Sequence, residues 1–111
     1  MTGRGLIAAA AALAAAPALA GHDLDTRVYR CDRGAQLTAS YINSDSGASA
    51  VLAVEGRVVA LNEGPTGSGA RYAPPPGQDG YVWHTKGGAG VLLWQSSGED
   101  RVIYQDCVEQ D

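Results

Sequence analysis

From Thr26 to Cys107 the apolar residues come in short runs and never at helical spacing. Val, Leu, Ile, Tyr and Trp gather in brief clusters bounded by Gly, Asn, Asp, Ser or Pro, the punctuation of strands and turns. The pattern predicts eight strands, over Thr26–Cys31, Ala35–Ile42, Ser49–Val54, Arg57–Asn62, Gly69–Ala73, Gly80–Thr85, Gly90–Gln95 and Arg101–Cys107. In the second, Leu37, Ala39 and Tyr41 alternate with Gln36, Thr38 and Ser40. That alternation sends one set to a core and the other to solvent. Glu55-Gly56 and Asp32-Arg33-Gly34 read as tight hairpin turns. An all-β domain follows, either a small antiparallel barrel or a sandwich.

The first 20 of the 111 residues stand apart from this pattern. Arg4, the apolar run Leu6–Ala16 and the small residues of Ala18-Leu19-Ala20 have the organisation of a secretory signal peptide over residues 1–20, cleaved after Ala20. Residues 21–111 then form a single domain. The whole chain has 8 basic and 12 acidic residues, and removing Arg4 leaves 7 − 12 = −5 for the mature domain. So small a domain buries one modest core and excludes a multidomain enzyme or a dinucleotide fold. No later apolar run reaches the roughly 20 residues of a membrane helix, which predicts a soluble mature protein. An acidic chain without a Lys/Arg cluster argues against nucleic acid and for a basic partner.

Cys31 and Cys107, the only cysteines, lie near the two ends of the predicted domain. An even pair in an exported chain reads as a disulfide. Joining the first strand to the last favours the barrel over the sandwich, because closure removes both exposed edges. Gly21 stands where a lipid-bearing cysteine would follow the leader, so the expected location is the periplasm, with no membrane anchor.

Catalytic constellations do not assemble. Ser68 lies in Thr66-Gly67-Ser68-Gly69-Ala70, which is no nucleophile elbow, and Thr85 stands where a phosphate loop needs glycine before Lys86. His84 is the one histidine within the predicted strands, too little for a zinc site. The acids are scattered through turns. The chain is expected to be no enzyme and to need no metal or cofactor.

Two segments remain distinctive. One is Gly64-Pro65-Thr66-Gly67-Ser68-Gly69-Ala70-Arg71-Tyr72; the other, Tyr81-Val82-Trp83-His84-Thr85-Lys86-Gly87-Gly88, ends an aromatic strand with the only lysine of the chain. Together they resemble the paired motifs of the membrane-bound and periplasmic inhibitors of c-type lysozyme, Ser-x-Ser-Gly-Ala-Arg-Tyr and Tyr-x-x-x-Thr-Lys-Gly. The second match is complete, and the first departs only at Thr66, which keeps a hydroxyl. Tyr29-Arg30-Cys31-Asp32, the turn at Tyr41–Asp45, Leu61 and Cys107 also fall where that family has similar residues.

The resemblance implies an eight-stranded antiparallel barrel and inhibition of a c-type lysozyme by loops that plug its substrate cleft. Ser68 and Lys86 match the residues that enter the cleft and engage the two catalytic carboxylates. Thr66, Thr85 and Gly87 flank them, and Gly67 and Gly69 let the serine loop come close to the target. Arg71 and Tyr72, with Trp83, brace the loops. The tract Ala73–Gly80, with Pro74-Pro75-Pro76, is a few residues longer than the family pattern and bears on the rim of the interface. The alternative is a periplasmic barrel module that binds a small ligand or a cell-envelope component.

Overall fold

The strands follow one another as an antiparallel meander that closes on itself, β1 pairing with β8. The computed structural model describes residues 23–111, and the predicted leader with its cleavage site lies outside them. The strands are β1 (Asp23–Arg30), β2 (Gln36–Ser44), β3 (Gly47–Val54), β4 (Arg57–Gly64), β5 (Ala70–Ala73), β6 (Gly80–Lys86), β7 (Ala89–Ser96) and β8 (Glu99–Glu109). All eight expected strands form in the expected order, and the closed barrel is the form adopted.

Strand ends differ from the apolar pattern where polar residues pair. β1 starts at Asp23 because Asp23, Leu24 and Asp25 continue the register with Asn43, Ile42 and Tyr41 of β2. Glu55-Gly56 forms the expected hairpin with both residues at positive φ (53° and 75°), the twist that matches paired strands, and Ser97-Gly98 repeats it (52° and 82°). Asp32–Gly34 is instead a single 3-10 turn between β1 and β2. Its side chains explain the difference. The Arg33 guanidinium donates to the Ile103 carbonyl, and the Gln105 N–H donates to Asp32 Oδ1 (3.1 Å), so the turn caps the free edge of β8.

Closure is narrow. Only Tyr29↔Glu109 and Arg30↔Val108 pair between β1 and β8, with one further bond from the Gln110 N–H to the Val28 carbonyl (2.8 Å). The Cys31–Cys107 disulfide sits at the next step of that register and joins the first and last strands covalently.

Inward-facing Leu37, Ala39, Ala50, Leu52, Leu61 and Leu92 fill the barrel, with Trp83 fully buried at its centre. The Trp83 ring meets Tyr29 edge-on at 4.9 Å, and its indole N–H donates to the Tyr41 hydroxyl (2.9 Å). Tyr41 and Tyr29 share a hydroxyl–hydroxyl bond of 2.7 Å. Burial pushes the Tyr41 phenol well above the ordinary tyrosine value and raises Tyr29 as well. Towards the β3–β4 turn, the Tyr81 hydroxyl donates to Glu55 Oε1 (2.6 Å), and Tyr81 meets Trp94 edge-on at 5.1 Å.

Candidate functional site

An up-and-down meander delivers alternate connections to the same end of the barrel. The β4–β5 loop, with Ser68, and the β6–β7 turn, which follows Lys86, therefore share one end. β5 and β6 are neighbours in register Ala70↔Thr85, Arg71↔His84 and Tyr72↔Trp83. One step beyond that ladder, Gly69 lies beside Lys86.

The approach is tight. A Cβ on Gly69 would stand 2.2 Å from the Thr85 carbonyl oxygen and 3.2 Å from Lys86 Cβ, and the residue adopts φ +71°. Glycine meets both demands at once. The Ser68 carbonyl is held from two sides, by the Thr66 hydroxyl (3.3 Å) and by His84 Nε2 (3.2 Å). Ser68 and Lys86 are themselves exposed. Among the described residues no ion pair engages Lys86. A loop held at its backbone thus presents an exposed hydroxyl at the same end of the barrel as an exposed ammonium.

Beneath the loops the wall is stiff. Tyr72 is buried and packs 5.6 Å from Tyr41, which holds the start of β5 against the Trp83 network. Burial raises the Tyr72 phenol also, with the Glu63 carboxylate adding to it. Arg71 runs along the outer wall to Gln95 Oε1 (3.1 Å) and Asp100 Oδ2 (3.4 Å), so its guanidinium is already engaged. Between the lysine turn and the β1–β8 seam lies an open recess of about 380 Å³ that includes Thr85, Gly87, Tyr41, Asp25 and Glu109. Arg27 holds both of its carboxylates, Asp25 at 2.9 Å and Glu109 at 3.1 Å. Among the described residues no group of three or more His, Cys, Asp or Glu assembles that would hold a metal ion.

The fold therefore brings Thr66, Ser68, Gly69, Thr85, Lys86 and Gly87 to one place. It turns Tyr72 into the core and Arg71 onto the wall. Gly67 has nothing within 4 Å of a Cβ position, whereas Gly69 is confined by the protein's own β6. The close approach at Gly69 is intramolecular. Pro74–Pro76 leave β5 at the far end, but β5 spans only four residues, and the tract lines an outer groove of about 390 Å³ that reaches Gly64 and Pro65 at the root of the serine loop.

Sequence reasoning passed over His84, which it weighed only as a metal ligand, and Gly90. A Cβ on Gly90 would stand 2.4 Å from the Trp83 ring. His84 had one legible signal: two residues before Lys86 on a strand, it shares the lysine's face.

Comparison with known proteins gives the family. The model described as membrane-bound lysozyme-inhibitor of c-type lysozyme matches residues 29–101. A membrane-bound lysozyme inhibitor of C-type lysozyme from Cupriavidus necator is 38% identical over 87 residues, 76% of this chain and 66% of the relative. The protein of that name from Pseudomonas aeruginosa is 32% identical over 90 residues, 78% of this chain and 68% of the relative. The chain thus spans about two thirds of the length of these relatives. Among solved structures, the periplasmic lysozyme inhibitor of C-type lysozyme from Salmonella typhimurium superposes with TM-score 0.68 at 19% identity, covering 80% of this chain and 100% of that one, a likeness of fold. The Pseudomonas aeruginosa inhibitor, solved in complex with hen egg white lysozyme, superposes with TM-score 0.62 at 26% identity, covering 80% of this chain and 84% of that one.

Proposed function

This chain belongs to the family of membrane-bound lysozyme inhibitors of c-type lysozyme, and on that premise we propose that it inhibits a c-type lysozyme by inserting Ser68 and Lys86 into the substrate cleft. The observation that carries the reading is the fixed loop pair, in which Gly69 packs on Thr85 so that an exposed hydroxyl and an unpaired ammonium project from one end of the barrel. Lysozyme works with two carboxylates, one kept protonated as general acid and one ionised. The Lys86 ammonium forms a charge-assisted bond to the ionised group, and the Ser68 hydroxyl bonds a carboxyl oxygen. Both catalytic groups are then occupied, and no chemistry is required of the inhibitor. A formal charge of −5 on residues 21–111 steers the encounter with a basic enzyme. The names of the two relatives and the Pseudomonas complex with hen egg white lysozyme support the same partner.

The location that accompanies this function is the cell envelope. The leader pattern of residues 1–20 and Gly21 after it support the finer reading of a free periplasmic domain over residues 21–111. Against the small-ligand alternative stand an interior filled by Trp83, Leu37, Leu52 and Leu92 and an end recess whose charges pair with one another. The test titrates mature protein into a c-type and a g-type lysozyme while lysis of a cell-wall suspension is followed. The proposal expects lysis by the c-type enzyme to stop. Undiminished lysis by the c-type enzyme at saturating protein overturns it.

A further inference from the structure

His84 occupies an open position of the second motif, and its surroundings give it a task. On β6 it shares the face of Lys86, two residues away, while the preceding residue, Trp83, points into the core. Its register partner across the β5–β6 ladder is Arg71, whose guanidinium is drawn away to Gln95 and Asp100. The imidazole is left to reach the serine loop, where Nε2 lies 3.2 Å from the Ser68 carbonyl oxygen. A carbonyl only accepts, so Nε2 carries the hydrogen and donates it.

We propose that His84 is a positioning residue of the inhibitory site: by donating from Nε2 to the Ser68 carbonyl it ties the serine loop to the strand that bears Lys86. This rests on the lysozyme reading for its biological meaning. The loop at residues 65–69 contains two glycines; a Cβ on Gly67 would meet nothing within 4 Å, and Gly69 touches Thr85. Without a tether such a segment is ordered only when the partner binds, and that ordering is subtracted from affinity. The bond to the carbonyl fixes the backbone at residue 68 and leaves the side-chain hydroxyl free for the target. The Thr66 hydroxyl on the same carbonyl closes the loop on itself, whereas the His84 bond ties that carbonyl to β6 and adds a hydrogen bond to the Gly69–Thr85 contact.

Glutamine and asparagine separate this role from mere packing. A glutamine places its amide N–H₂ where Nε2 stands, whereas asparagine reaches only as far as Nδ1. His84→Ala is expected to raise the dissociation constant for a c-type lysozyme about three- to tenfold, the range of one neutral hydrogen bond. It should also lower the NMR order parameters of the Gly67–Gly69 amides in the free protein and leave the melting temperature nearly unchanged. His84→Gln should restore both readouts, and His84→Asn should restore neither. In a Ser68→Ala background, His84→Ala should change affinity less than it does in the parent, because there is no serine hydroxyl left to position. The proposal is overturned if His84→Ala leaves loop order and affinity at parental values, or if asparagine rescues as well as glutamine. Should the parent itself not bind lysozyme, the lysozyme reading fails, and the order parameters of the free variants still decide whether the tether exists.

Discussion

Gly69 and Thr85 touch so closely that a side chain on the first would stand 2.2 Å from the carbonyl oxygen of the second. The contact sets the serine loop against the lysine strand, and it makes Gly69 a more demanding position than Gly67. Gly69→Ala meets the Thr85 carbonyl and must hold a left-handed backbone at about 1–2 kcal/mol. The loop relieves both by lifting from β6. Calorimetry with a c-type lysozyme should show binding weakened by about tenfold or more, the equivalent of roughly 1.4 kcal/mol. Gly67→Ala, which meets nothing, should leave the melting temperature of the free protein unchanged.

A second glycine supports the core. Three atoms of the Trp83 ring would lie 2.4, 2.7 and 3.1 Å from a Cβ on Gly90. Trp83 has no room to retreat, being fully buried and bonded to Tyr41. Gly90→Ala is therefore expected to destabilise the fold by about 1–3 kcal/mol through overpacking. Denaturant unfolding with near-ultraviolet circular dichroism reads the loss; an unchanged midpoint would show that the indole is less confined than described.

The strands were legible because β-branched and aromatic runs between turn residues have one reading, and Leu37, Ala39 and Tyr41 showed which face turns inward. The barrel was legible through Cys31 and Cys107, since the apolar pattern alone also fits a sandwich. Ser68 and Lys86 stood out as polar groups in glycine-rich loops and matched a paired motif. What remained hidden depends on register. Gly69 beside Thr85, His84 beneath Ser68 and Gly90 against Trp83 are neighbours only because β5, β6 and β7 pair as they do. That register is set by closure of the whole meander, which no local window contains. The starts of β1 and β8 were hidden for a related reason, as Asp23, Asp25, Glu99 and Asp100 pair through their backbones without an apolar signature.

Tyrosine burial gives the fold an alkaline limit. Tyr41, Tyr29, Tyr72 and Tyr81 all titrate above the unfolded value of 10.0, chiefly because burial disfavours the phenolate. The folded state holds these protons more tightly than the unfolded state does. Their contribution is complete below pH 10 and is lost as pH rises from there through the folded values. The midpoint of urea unfolding should fall steeply above about pH 10, together with tyrosinate absorbance near the transition. A midpoint constant up to pH 12, with tyrosines already ionised in the folded protein, contradicts this.

The disulfide closes a separation of 76 residues across a seam with two paired positions. A Cys31→Ala, Cys107→Ala double variant should lose about 2–5 kcal/mol of stability, the usual range for a small secreted domain. Hydrogen exchange should place the first loss of protection at Tyr29, Arg30 and Val108. Parental stability in the double variant would mean that the β1–β8 pairing closes the barrel unaided.

The most direct test of the inhibitory site is calorimetric binding of a c-type lysozyme to Lys86→Ala and Ser68→Ala, with thermal unfolding of each variant measured alongside. Under the proposed insertion, Lys86→Ala would leave an ionised lysozyme carboxylate without its partner in a water-poor cleft and should weaken binding by about 2–5 kcal/mol. Ser68→Ala removes a neutral hydroxyl and should weaken it by about 1–3 kcal/mol. Lys86→Arg should rescue poorly, since a planar guanidinium does not replace a compact ammonium. Both side chains are exposed, so both alanine variants should unfold at the parental temperature. Parental affinity in both folded variants would contradict the assignment of Ser68 and Lys86 to the lysozyme cleft.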